Sequence, residues 1–441
     1  MDERKPAGVP GAKQAGEAAS RWAWVERTVW TERMLEALER GVKGGKWFSL
    51  IDKVSRRTTL EAAWKQVRAN KGSAGTDHQG IGEFEVRKDE ELGRLEEELS
   101  QGRYKPRPIR RVYIDKPGSR EKRPLGIPCV RDRVVQSALR LVIEPIFEAR
   151  FAENSYGFRP RRGCKDALRR VDQAIKEGYR YVVDADIRAY FDNIDHERLM
   201  ADVRESIADG RVLALIEAFL KQDVLEAMKA WTPESGTPQG AVISPLLANL
   251  YLNGLDHAMA KAGYLMIRYA DDFVVLCRSR KEAEQALELV GHQVDQRGLS
   301  LHPEKTHVVD LEEAGAGFDF LGYHFTRTKH WPRKKSLKKL KDAIRQKTRR
   351  TNGASLQRII TDVNRSLRGW MEYFKHSPRW TFPRLDSWVR RRLRSILRKR
   401  SGRKGISRGR DHNRWPNVFF ERHGLYSLVA AHRAMLQSSA G

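Results

Sequence analysis

Cysteine is scarce in this sequence. The 441 residues hold three, Cys129, Cys164 and Cys277, far apart along the chain. Such spacing makes no disulfide framework, and no Cys-x-x-Cys pair offers a zinc site. A reducing cytoplasm is the default setting. Long apolar runs are missing too. None approaches the roughly 18 residues that a bilayer-spanning helix needs, so a membrane partner is not expected. The first twenty residues are polar, with Pro, Gly and Ala among charges, and contain no signal-peptide core. The histidines give no ligand set: His412 and His423 have no partner cysteines. What remains is 40% hydrophobic and 9% aromatic, which excludes a disordered chain. The length fits two to four domains, by the usual rule of about 100–200 residues each.

Acidic residues are nearly absent from one stretch. Residues 327–410 hold 29 Lys/Arg against 4 Asp/Glu, whereas residues 1–326 hold 52 against 51. The net charge of +27 therefore sits almost wholly on one module, the footprint of a polyanion such as nucleic acid. Its apolar residues recur at helical spacing, which argues against a solvated tail. Ser355 is a plausible N-cap for Leu356, Ile359, Ile360, Val363, Leu367, Trp370, Met371 and Phe374. Pro378 and Pro383 read as interruptions. Leu385, Trp388, Val389, Leu393, Ile396 and Leu397 make a second stripe, with Arg390, Arg391, Arg394, Arg398 and Lys399 largely off it. Leu337, Leu340 and Ile344 mark a shorter helix. Three amphipathic helices with basic outer faces imply a bundle.

The nearly neutral body mixes helices and strands. Residues 21–70 show helical spacing, and 71–77 read as a loop. Further helices are expected over Glu83–Leu99, Asp132–Phe147, Cys164–Ile175 and Arg278–Arg297. Arg110–Ile114 alternates like a strand and runs into a Pro117-Gly118 hairpin turn. Tyr181–Ile187 is a short apolar strand ending in Asp186, and Asp195 can cap the helix beyond it. Tyr264–Tyr269 and Phe273–Cys277 are strands joined by a tight turn holding Asp271 and Asp272. Each carboxylate alone is ordinary turn chemistry. Together they suit nucleotidyl transfer, which uses two divalent ions about 3.5–4 Å apart. Mg²⁺ takes oxygen ligands, so carboxylates on converging strands would hold it.

Tyr269-Ala270-Asp271-Asp272 resembles the active-site signature of reverse transcriptases. It stands in an ordered series of similar blocks: Arg123-Pro124-Leu125-Gly126-Ile127-Pro128, Asn154-Ser155-Tyr156-Gly157-Phe158-Arg159-Pro160, and Asp186-Ile187-Arg188-Ala189-Tyr190-Phe191-Asp192. Gly236-Thr237-Pro238-Gln239-Gly240 with Ser244-Pro245-Leu246-Leu247 follows, then Leu301-His302-Pro303-Glu304-Lys305-Thr306 and Phe320-Leu321-Gly322-Tyr323. Leu367-Arg368-Gly369-Trp370 and Tyr373-Phe374 extend the likeness into the basic module. The series resembles the proteins encoded by bacterial group II introns, over about residues 50–400.

The resemblance implies an α+β right-hand polymerase of fingers and palm, with an α-helical thumb or maturase domain. The boundaries implied are a leader and helix over 1–48, fingers over 49–180, palm over 181–328, thumb over 329–400 and a basic segment over 401–441. It implies Asp186, Asp271 and Asp272 as catalytic carboxylates and ligands of a two-Mg²⁺ site, joined by the Ile187 carbonyl. Asp184, on the same strand face, takes a structural role. Phe191 would gate the ribose 2′-hydroxyl, where the bland alternative is an ordinary core ring. Gln239 and Gly240 would lie beside the incoming nucleotide. Lys116 and Arg123 would meet its triphosphate, with Lys305 near the leaving group. Residues 401–441 lack the paired cysteines of the family's endonuclease domain, so a form without that HNH domain is expected. They read equally as a DNA-binding segment or a cap on the thumb.

The implied activity is RNA-directed DNA synthesis from deoxynucleoside triphosphates, on an RNA template with a DNA primer. The implied partners are the chain's own group II intron RNA, for splicing, and target DNA, for intron mobility (retrohoming). The setting would be bacterial cytoplasm, at the nucleoid when DNA-bound. Two rivals stand beside it: a splicing-only maturase with an inactive polymerase, and a bacterial reverse transcriptase without an intron, as in defence systems or retrons.

Overall fold

A computed structural model describes residues 21–115, 122–226, 229–405 and 409–438. They fall into two compact units. One takes residues up to 174 together with 183–308; the other takes 175–182 and the residues from 309 onward.

The first unit opens with helices α1 (Glu32–Arg40), α2 (Ile51–Ser55), α3 (Arg57–Asn70), α4 (Ile81–Val86) and α5 (Lys88–Ser100). Segment 21–30 turns rather than continuing the expected helical pattern. Its Trp30 is buried all the same, and the indole donates to the Leu141 carbonyl at 3.0 Å. The expected Glu83–Leu99 helix is two helices, because Arg87 leaves the helical region at φ −108°, ψ 23°. Strands β1 (Ile109–Asp115) and β2 (Lys122–Ile127) pair antiparallel from Arg110↔Ile127 to Asp115↔Lys122. Lys116 and the Pro117-Gly118 turn lie outside the described residues.

Helix α6 (Val130–Glu148) is buried almost all round. Val134, Val135, Ala138, Leu139, Val142 and Ile143 pack in the core. Several of its buried polar groups reach neighbouring segments, while Arg131 Nε, Arg133 Nε and Gln136 Nε2 are buried without a hydrogen-bond partner among the described residues. Arg133 donates to the Ser73 carbonyl at 2.5 Å, and the Gln136 side-chain oxygen accepts from the Val242 amide at 2.7 Å. Asp132 accepts from the Tyr104 hydroxyl at 2.6 Å and the Arg107 amide at 3.0 Å. One helix thus fixes the 71–77 loop, the approach to β1 and the loop ending at Val242.

Beyond α6 come α7 (Cys164–Lys176), β3 (Tyr181–Asp186), α8 (His196–Arg204), α9 (Gly210–Leu220), β4 (Val224–Glu226), β5 (Lys229–Trp231) and α10 (Ser244–Lys261). Then follow β6 (Leu265–Tyr269), β7 (Asp272–Cys277), α11 (Arg280–Gln296) and β8 (His307–Asp310). Asp195 caps α8, accepting from the Arg198 amide at 2.8 Å. β4 runs parallel to β1 and carries β5, giving a sheet in the order β2-β1-β4-β5. The second sheet has the order β6-β7-β3-β8. In β7 every residue from Phe273 to Cys277 is buried, the pattern of a strand covered on both faces. α10 lies on β6 and α11 on β7.

In the second unit β9 (Phe318–Phe320), β10 (Tyr323–Phe325) and β11 (His330–Pro332) form a small antiparallel sheet. Helices α12 (Lys334–Lys347), α13 (Leu356–Phe374) and α14 (Thr381–Arg400) follow, then α15 (Gly409–Arg414), α16 (Asn417–Arg422) and α17 (Leu428–Ser438). Ser355 caps α13 through the Arg358 amide, and the expected apolar stripe of that helix is buried. Pro383 does not interrupt: it sits in the first turn of α14, where its missing N–H has no intrahelical acceptor to serve. Arg394 departs from the expected outer face. It is 2% exposed, donates to the Trp415 carbonyl and the Asn417 side chain at 2.8 Å each, and lies over the Phe420 ring. Arg398 likewise pairs with buried Asp411 at 2.8 Å. Asp386 accepts from Ser427 Oγ and from the Leu428 and Val429 amides. The described residues after 400 thus pack on α13, where Asn364 bonds Gly424 and Tyr426, and on α14.

Burial pushes the Asp132 carboxyl up to about 6, against the lowering effect of the Tyr104 and Arg107 hydrogen bonds. An unfolded Asp releases its proton near pH ~3.9. Between the two values the folded chain holds more protons, so stability falls as pH rises from about 4 to 6. Over that interval the wild type should lose up to about 3 kcal/mol relative to Asp132→Asn. Urea midpoints at pH 4, 5 and 6 measure this, and a constant difference would refute it.

Candidate active site

Two strands that are neighbours in the β6-β7-β3-β8 sheet carry the carboxylates. Asp186 ends β3, and Asp272 starts β7 just after the turn residue Asp271. Burial raises the Asp271 pKa, and the negative charge of Asp186 raises it further; Arg123 and Arg268 pull it back down. Asp186 and Asp271 therefore lie within each other's field. Lys305 donates to Asp186 Oδ2 at 2.5 Å, and the His302 amide donates to the Asp186 carbonyl at 2.8 Å. The Arg188 amide bonds the Ser300 carbonyl at 2.9 Å. These two bonds flank the Ile187↔Leu301 bridge, which turns the Ile187 carbonyl away from Leu301. Asp184, two residues earlier in β3, has His307 Nε2 at 4.0 Å.

Several residues that the resemblance puts on the nucleotide side gather where β2 meets the 236–240 loop. Arg123 Nε donates to Gln239 Oε1 at 2.6 Å, and the Gly126 amide donates to the Gln239 carbonyl at 2.7 Å. Gly240 has φ +111°, and a Cβ there would lie 2.5 Å from the Gly126 carbonyl oxygen, so only glycine fits. The Thr237 amide donates to the Phe191 carbonyl at 2.8 Å, which ties the proposed gate to the same loop. Phe191 is half-buried; the core ring is its neighbour Tyr190, 2% exposed. Arg123, Gln239, Gly240 and Phe191 thus share one region, and Asp186 with Lys305 and Asp271 another that feels the Arg123 charge. Among the described residues, however, no three His, Cys, Asp or Glu side chains converge as a ready-made metal cage.

Sequence reasoning passed over the support beneath the turn. Arg268, wholly buried in β6, donates to Asp256 from Nε at 2.8 Å and also from Nη2. Its Nη1 donates to Asn249 Oδ1 at 3.1 Å and to the Ala270 carbonyl at 2.9 Å. Asn249 in turn donates to the Gly157 carbonyl at 2.6 Å. The Asn154–Tyr156 segment docks along Arg268 through two backbone bonds. The available signal was a lone cation in the apolar run Leu265-Met266-Ile267-Arg268-Tyr269.

Residues 114–325 match the family model for reverse transcriptase (RNA-dependent DNA polymerase), and residues 337–415 match the group II intron maturase-specific domain. Protein YkfC of Escherichia coli K12 is 34% identical over 276 residues, covering 54% of this chain and 71% of YkfC. This chain belongs to the group II intron-encoded reverse transcriptase and maturase family. LtrA, a group II intron-encoded protein of Lactococcus lactis, is 43% identical over 168 residues, 38% of this chain. That match spans 28% of LtrA's length. A protein in the cob intron of Schizosaccharomyces pombe is 44% identical over 149 residues, 34% of this chain and 18% of the relative. Reverse transcriptase domains use divalent metal ions, and their partners are nucleic acids. Among the described residues no helix is long and apolar enough to cross a membrane.

Gly157 presses directly on the carboxylate turn. A Cβ there would lie 2.3 Å from the Ala270 nitrogen. Gly157→Ala should cost about 1–3 kcal/mol by overpacking and lower DNA synthesis more than tenfold. Gly291→Ala, with nothing within 4 Å of its Cβ, is the control. Primer extension and thermal melting of both variants check this; equal behaviour would contradict the packing.

Proposed function

We propose that this chain copies RNA into DNA from deoxynucleoside triphosphates, and that its basic second unit binds the intron RNA that encodes it. The carrying observation is Asp271, partly buried at the end of an apolar sheet, inside the field of Asp186 and of the Arg123 cation. Asp186, Asp271 and Asp272 would hold Mg²⁺ in a two-metal site, with the Ile187 carbonyl as a further oxygen donor. The donor set suits that ion: hard oxygens, and mutual repulsion that a divalent cation relieves. When bound, the ions activate the primer 3′-hydroxyl and carry the leaving pyrophosphate.

The chain's own groups do the positioning. Arg123, held by Gln239, presents a guanidinium to the triphosphate, and Lys116 is assigned the same task from the family motif. Gly240 lets the backbone come close to the base and sugar. The Phe191 ring stands against a ribose 2′-hydroxyl. Lys305 neutralises Asp186 before a nucleotide arrives and is then free to face the leaving group. The exposed cations of α12–α14 contact RNA phosphates; that binding stabilises the folded intron by mass action, while splicing chemistry stays with the RNA. Retrohoming into target DNA, in the bacterial cytoplasm at the nucleoid, extends the same reading. A splicing-only maturase is the second reading. It is favoured by the Lys305–Asp186 pair, which engages a carboxylate that the polymerase reading gives to the metal.

Asp271→Ala/Asp272→Ala separates the two. The wild type should extend oligo(dT) on poly(rA) with Mg²⁺, the double variant should not, and both should bind intron RNA alike with the same salt slope. Equal, negligible incorporation by both would favour the splicing-only reading. Phe191→Ala should admit ribonucleotides, measured as the ratio of rNTP to dNTP incorporation; unchanged selectivity removes the gate.

A further inference from the structure

We infer that Arg268 is a positioning residue for DNA synthesis, fixing the turn that aims Asp271 by holding the Ala270 carbonyl. The inference rests on the polymerase reading above. Ala270 stands at φ +59°, in the left-handed region that an L-residue with a Cβ rarely adopts. Something must hold it there. Arg268 Nη1 reaches that carbonyl at 2.9 Å from two residues upstream. The same guanidinium is itself fixed, through Nε and Nη2 on Asp256 of α10 and through Nη1 on Asn249, about two turns earlier on the same face of that helix. Asn249 reaches on to the Gly157 carbonyl, and Gly157 packs against the Ala270 nitrogen. The turn is thus gripped at its carbonyl by Arg268 and at its nitrogen side by Gly157, and Asn249 joins the two grips.

Stability alone gives no reason for a cation here. Replacing a buried ion pair with well-packed apolar residues is often neutral or stabilising, because both charges must be stripped of water. Leu265, Met266 and Ile267 fill the same strand without any such cost. What an apolar side chain cannot supply is a fork of donors spanning a carboxylate, an amide and a carbonyl at fixed angles. That fork is what the turn receives.

Two variants test this with five readouts: kcat, KM for dTTP on poly(rA)/oligo(dT), primer–template Kd, thermal melting and amide hydrogen exchange. Arg268→Met/Asp256→Leu removes both charges of the buried pair together. It should melt within a few degrees of wild type and bind primer–template with unchanged Kd. KM should stay within twofold, while kcat falls thirtyfold or more. Amide hydrogen exchange over Tyr269–Asp272 should accelerate in the same variant. Arg268→Lys keeps the charge opposite Asp256 but not the fork; kcat should fall about tenfold with a smaller change in exchange. Recovery of wild-type kcat by the apolar pair, or full kcat in Arg268→Lys, overturns the inference. Loss of folding in both variants also overturns it, since the residue is then a stability determinant. A wild type without polymerase activity sinks the polymerase reading itself, a distinct result.

Discussion

Two negative charges kept close at the edge of a low-dielectric sheet set the terms for the first unit. β7 is buried on both faces, and the carboxylates it carries at its start lose water that would otherwise screen them from Asp186. Each neighbouring cation answers that repulsion from a different part of the chain. Arg123 comes from the fingers strand β2, Lys305 from the loop before β8, and Arg268 from the strand just ahead of the turn. Removing the sheet's apolar cover would relax the repulsion and with it the demand for the Arg123 and Lys305 charges.

Much of this layout was legible from residue order. Apolar runs of strand length bordered by aspartates marked β3, β6 and β7, and Asp195 and Ser355 acted as the caps their positions suggested. The helical stripe of α13 was readable because one face of one element decides it. What escaped depended on partners far away in sequence. Arg394 has the spacing of a surface residue, and only the return of the chain at Trp415 and Asn417 buries it. β4 and β5 are three residues each and owe their existence to β1, more than a hundred positions upstream. Pro383 looked like a breaker because the helix start was placed after it rather than just before.

Charge does different work in the two units. In the first, buried ions such as Arg268 with Asp256, and Asp132 with Tyr104, lock loops to helices. In the second, a large cationic excess is left facing water along α12–α14, while Arg394 and Arg398 are spent inside. The formal charge therefore overstates what a phosphate backbone would meet.

The cap over α13 and α14 has a practical consequence. Phe382 packs against His432 at 4.5 Å, and Asp386 takes its three donors from residues 427–429. Cutting the chain after residue 400 would uncover the Phe382 ring and strip Asp386 and Arg394 of the partners that fix them. Clumping of the shortened protein would be the first symptom, and any weakened grip on RNA in such a truncation would reflect a damaged scaffold rather than a missing contact.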